Sequence, residues 1–402
     1  MKLVRFWSSI LSPAVLLAGC GGNLTRSSSP EASSACVPAS KPESAYVLTG
    51  YSVNMYTVDS CTGQFTATTP ASVGTGYSYP QSDNSEQMVA DPLGRFAYVA
   101  NLVSNVSGPS SISMYIINPT TGVLTPTTPA TVPTGWFPQG IAIDPLGRFV
   151  YTANSDDGTV SMFTINQTTG VLTPTTPASV PIQIPSSSLS SPGFLTVDPT
   201  GSFLYTVTYL SEGAAVFMFN INQTTGVLTP TSPATVNTGG IPFQVLVAPN
   251  GKWAYVVDNL SSSGETFGVW QYTVNPTTGV LTPNAPAAVA AGNAPTGIAI
   301  DPTSRFAYVV NRQDNTVSMY TIDPTSGNLT LNSTAANLTG TIATGIEPFR
   351  IDFDPSGRFV YVTNEQSAAS IYTVNSDGTL TSTGTTGVGT GGLATAFTAS
   401  GQ

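Results

Sequence analysis

IAIDPLGRFVYTAN, Ile141–Asn154, recurs with small changes as MVADPLGRFAYVAN (88–101), IAIDPTSRFAYVVN (298–311) and IDFDPSGRFVYVTN (351–364). The Asp that opens its turn falls at Asp91, Asp144, Asp198, Asp301 and Asp354, with Ala248 in APNGKWAYVVD filling one place, so copies are spaced by 50 to 54 residues. A unit of that length cannot bury its own apolar face and has to stack on its neighbours. A last copy, TAFTASGQ at 395–402, breaks off after the turn, and SAYVLTG at 44–50 matches the missing part. Counting the split copy once gives seven units.

Each unit reads as short strands separated by turn formers. GIAI ends at Asp-Pro-x-Gly, whose Pro and Gly suit successive positions of a tight reversal. RFVYTAN alternates with the two-residue period of a sheet, VSMFTIN follows, and NQTTG is a hairpin leading to VLTPTT. Four antiparallel strands repeated seven times predict an all-β, seven-bladed β-propeller. The split copy predicts that a C-terminal strand at 393–399 joins the N-terminal blade and closes the ring, hiding two strand edges.

Composition agrees. Only 8% of the 402 residues are charged, against 38 Gly and 32 Pro, which suits many short strands. Net charge is −10 with 11 scattered Lys+Arg, so nucleic acid is not an expected partner. Histidine is absent altogether.

The N-terminus reads as a targeting segment. Lys2 and Arg5 precede an apolar run from Phe6 to Leu17, which is shorter than the ~20 residues of a membrane span. LAGC, Leu17–Cys20, resembles the bacterial lipobox, with an ordinary signal peptide or a short anchor as alternatives. The expected divisions are a lipoprotein signal peptide at 1–19, lipidated Cys20 with a Ser/Pro/Gly-rich tether to 43, and the propeller at 44–402. A monomer held in the bacterial cell envelope through its lipid is expected, on the periplasmic or surface side; Gly21 after the cysteine leans towards the outer membrane. Cys36 and Cys61 remain as an even pair that a disulfide would join in an oxidising compartment, or as two free thiols. No metal or other cofactor is expected.

YVTN at Tyr361–Asn364, with YVAN, YTAN and YVVN elsewhere, looks like the YVTN family of propeller repeats. The whole unit resembles the lactonase family of seven-bladed propellers, which includes 6-phosphogluconolactonase-like proteins, over residues 44–402. The repeated residues themselves read as architecture: the Asp accepting amides of its own turn, the following Arg pairing nearby, the aromatics packing between blades, and the Asn capping the next loop.

Function in a propeller is expected at the channel mouth where the first strand of each blade begins. The resemblance implies Gly-Pro-Arg-His entering that strand. Here Arg350 is the one arginine near that place, one position late, and no histidine stands anywhere. Two readings follow. The leading one is a binding or scaffolding module for a carbohydrate or protein ligand, contacted by Gln87, Trp136, Gln139, Phe243, Gln244, Phe349 and Arg350. The alternative is a lactonase acting on sugar lactones, with Arg350 stabilising the oxyanion and Glu86 or Glu347 handling a water.

Overall fold

A computed structural model describes residues 43–49, 52–75, 87–102, 110–182, 191–208, 214–260, 268–334, 339–386 and 394–398. The chain divides into two compact units, Met1–Val37 and Pro38–Gln402, and all described residues belong to the second. Cys20, Cys36 and Glu86 lie outside the described residues.

Seven antiparallel sheets, in which consecutive strands pair, make up the propeller. The repeat quoted above supplies the inner strands of one blade, Pro138–Ile143 and Phe149–Asn154, followed by Thr159–Ile165 and Leu172–Pro181. The outermost strand outruns its expected length, reaching ten residues by absorbing a register shift opposite Ser161–Phe163. Its Thr- and Pro-rich sequence suits an exposed sheet edge. In the sixth blade the outer position is divided between Leu329–Leu331 and Thr341–Ala343, both paired with Thr316–Ile322.

Ring closure is as the split repeat requires. Ala394–Thr398 pairs antiparallel with Glu43–Thr49, from Ser44 opposite Thr398 to Leu48 opposite Ala394.

The repeated residues join turn to turn and blade to blade. Asp144 accepts the amides of Arg148 and, at 2.9 Å, of Phe149, and its other oxygen takes the Arg148 guanidinium at 2.7 Å. The buried tyrosine of every second strand donates to the carbonyl of the hairpin glycine in the next blade: Tyr151 to Gly226 at 2.9 Å, Tyr308 to Gly378 at 2.8 Å, and Tyr361 across the closure to Gly63 at 2.9 Å. Met162 adds a link not anticipated, its Sδ accepting the Leu228 amide of the next blade at 3.2 Å. Asn154 caps the following loop through Thr159 and Ser161 at 3.0 and 2.8 Å.

These bonds fix two faces. The Asp-Pro turns and Thr-Thr-Gly hairpins share one, and the loops that enter the first strands share the other with those that leave the second. Disulfide-bonded Cys61 sits in the hairpin Asp59–Gln64, whose Gly63 meets Tyr361, and so lies on the face away from the mouth.

Candidate functional site

The residue four places before each turn Asp, or before Ala248 in the copy that lacks it, decides what enters the channel. At that place stand Gln87, Gly140, Phe194, Gln244, Gly297 and Arg350. Gly140 leaves no alternative, because a Cβ there would lie 2.6 Å from Leu195 and 2.7 Å from the Gly193 carbonyl. Beside each glycine, the preceding blade's glutamine reaches across: Gln87 Oε1 accepts the Ile141 amide at 3.3 Å and Gln244 Oε1 the Ile298 amide at 3.1 Å.

Gln87, Phe194, Gln244, Arg350 and Asp352 line a channel cavity of about 160 Å³. Within it Arg350, only 7% exposed, is enclosed by aromatic rings. Its guanidinium carbon lies 3.7 Å from the Phe194 centroid, 4.9 Å from Phe349 and 5.7 Å from Phe243. Phe243 in turn packs against Phe194 at 5.1 Å and Phe349 at 5.8 Å. The aromatic faces expected to meet a sugar therefore meet a cation of the chain itself.

A second cavity, about 460 Å³, opens on the same mouth and is lined by Asn259, Ala294, Arg312, Gln313, Asn315, Ile346 and Glu347. The loops that build it repeat one pattern. Phe137, Ala294 and Glu347, each just before the proline of an inner strand, hold positive φ of 55°, 50° and 52°. The backbone then returns to the loop beyond the second strand, where Arg312 N donates to Ala294 O at 3.0 Å and Glu365 N to Glu347 O at 2.9 Å. Strain of this kind persists only where surroundings over-determine it, and here it turns Glu347 towards Arg312.

Arg312 Nη2 donates to Glu365 Oε2 at 2.7 Å and to Glu347 Oε2 at 3.2 Å. Nη1 and Nε of Arg312 make no hydrogen bond with the described residues. Burial pushes the Glu365 carboxyl above its ordinary range, with Arg312 pulling down and Glu347 adding to the rise. The ring of Phe349 is near two cations, 5.9 Å from the Arg312 guanidinium and 4.9 Å from that of Arg350.

Arg350, Phe243, Phe349, Gln87 and Gln244 come together in the channel. Glu347 lines the rim cavity, whereas Arg350 lines the channel cavity. Trp136 and Gln139 are half-buried and line neither; the Trp136 amide is taken by Asp157 at 2.6 Å. Phe194, Arg312 and Glu365 were not anticipated. The signal existed for the last two: the residue directly after the repeated Asn or Asp, a position filled by Asn259, Arg312 and Glu365 in successive blades.

The chain matches the pattern of the family described as lactonase, 7-bladed beta-propeller, over residues 40–187 and 192–395. It belongs to that family. Among solved structures, this lactonase-family protein resembles a Bacteroides fragilis protein described as a candidate 6-phosphogluconolactonase, with a TM-score of 0.68 at 20% identity over 89% of this chain and 98% of that one. The periplasmic gluconolactonase of Pseudomonas aeruginosa gives a TM-score of 0.65 at 19% identity, covering 89% of this chain and 99% of its own. At such identities the likeness establishes the fold. No curated protein matches the chain significantly.

Proposed function

We propose that this protein hydrolyses a sugar lactone at the rim cavity. The observation that carries the reading is the carboxylate pair Glu347–Glu365 gathered on one arginine, at 3.2 and 2.7 Å, beside a cavity of about 460 Å³ at the mouth. Ionised Glu365 takes a proton from water as the oxygen attacks the lactone carbonyl carbon. The negative charge that develops on the carbonyl oxygen is met by Nη1 of Arg312. The ring C–O bond then breaks, the ring oxygen receives the proton, and the hydroxy acid leaves. The oxyanion role foreseen for Arg350 passes in this reading to Arg312, and Arg350 becomes a support of the channel wall.

The test is hydrolysis of glucono-1,5-lactone by the purified full chain against the spontaneous rate, with Arg312→Ala and Glu365→Gln as controls. Acceleration that both controls lose supports the reading, and a folded protein that gives none defeats it. A binding module is the second reading, favoured by the complete absence of histidine. Under it the unreacted lactone or a related sugar saturates the protein without turnover.

We further propose that Cys20 is lipidated and anchors the chain to the cell envelope. Loss of radiolabelled palmitate from a Cys20→Ala chain is the expected result, and label retained by that variant would refute the anchor.

A further inference from the structure

We propose that the rim site selects uncharged, polyhydroxylated lactones and turns away phosphorylated ones; this rests on the lactonase reading above. Arg95, Arg148, Lys252, Arg305 and Arg358 each follow an Asp-Pro-type turn, and so stand on the face opposite the mouth. Arg312 and Arg350 are the other two Lys/Arg of residues 43–402. Neither offers a phosphate a bidentate edge. Arg350 is 7% exposed and enclosed by Phe194, Phe349 and Phe243. Arg312 already faces two carboxylates, Glu365 and Glu347.

Around them the mouth carries further negative charge. Exposed Asp314 belongs to the Arg312 loop, where it holds Asn293 at 2.7 Å through both backbone and side chain. Asp157 performs the same task three blades away, on the Trp136 amide. A dianionic phosphate entering here meets net repulsion, with no bidentate guanidinium to offset the loss of its hydration. A neutral lactone meets instead the side-chain amides of Asn259 and Gln313, which line the cavity and make no hydrogen bond with the described residues. Amides of this kind donate and accept, which matches hydroxyl groups.

The experiment compares kcat/KM of the full chain for glucono-1,5-lactone and its 6-phosphate, from low salt upward. Expected is a preference for the neutral lactone on the order of tenfold at ~0.01 M ionic strength, narrowing beyond ~0.15 M as screening sets in. Ile346→Lys places a cation at the cavity lip, where the isoleucine is 54% exposed. It should raise the ratio of kcat/KM for the phosphate ester to kcat/KM for the neutral lactone several-fold at low salt. Equal or faster turnover of the phosphate ester at low salt, or a ratio indifferent to salt, overturns the selection while leaving lactone hydrolysis in place. A folded protein that hydrolyses neither substrate overturns both.

Discussion

The guanidinium of Arg350 stands 3.7 Å over the ring of Phe194, nearer than to either other phenylalanine that encloses it. A cation so placed trades hydration for aromatic faces, which suits the weakly hydrated, planar guanidinium and does not suit an ammonium. Arg350→Lys should therefore destabilise the fold by about 1–2 kcal/mol in urea titrations. Turnover by the surviving folded protein should stay within about threefold, whereas Arg312→Ala should lower kcat by about a hundredfold. The reverse pattern, turnover lost at Arg350 with stability intact, would return the oxyanion role to the channel.

Under the lactonase reading, Glu365 should make activity and stability depend on pH in opposite directions. Desolvation raises its pKa above the ordinary 4.5. A general base works ionised, so kcat should climb with pH through a pKa above that value, and Glu365→Gln should remove the climb together with most of the rate. For stability, the folded state binds more protons than the unfolded one between the ordinary and the raised pKa. The contribution is therefore fully present in acid below the ordinary value and is lost as pH rises through the folded pKa. Melting temperature measured across that window should fall more steeply for the parent than for Glu365→Gln; parallel curves would show that the carboxyl is not perturbed.

Tyrosine-to-glycine bonds between blades should each carry a measurable share of stability. Tyr151 is fully buried and its hydroxyl reaches the Gly226 carbonyl at 2.9 Å. Tyr151→Phe leaves the ring in place and orphans that carbonyl, at a cost of about 1–2 kcal/mol by denaturant titration. Tyr308→Phe, which breaks the bond to Gly378 in another pair of blades, should add to it nearly independently. A double variant no less stable than either single one would show that these bonds act as one unit.

The fold was legible because its determinants are written many times. Tyr151, Tyr308 and Tyr361 perform the same task, so repetition alone exposes them. The site was legible only in part, because its residues occupy the places where the copies differ. The position after the repeated Asn is Ser155 in one blade, Arg312 in another and Glu365 in a third. Nothing local reveals that Arg312 and Glu365, 53 residues apart, meet at 2.7 Å. That contact follows from the angle at which adjacent blades stack. The enclosure of Arg350 was hidden for the same reason, since Phe194 reaches it from a blade that is not its sequence neighbour.

Closure of the ring gives the remaining prediction. Ala394–Thr398 forms the innermost strand of a blade whose other strands come from the opposite end of the described residues. Phe397 fastens it, packing 4.9 Å from Tyr361 in the preceding blade and 6.3 Å from Phe65 in its own. Phe397→Ala should cost about 2–3 kcal/mol, at the lower end for a phenylalanine because the ring is only partly buried. Deleting residues 394–402 removes the strand itself and leaves Glu43–Thr49 with an open edge that can pair with other chains. The truncated protein should melt at lower temperature and associate with rising concentration in sedimentation velocity, while Phe397→Ala should associate no more than the parent. If instead the truncation leaves the melt unchanged, the remaining blades hold the ring by stacking alone, and the C-terminal strand is an addition to the propeller, not its lock.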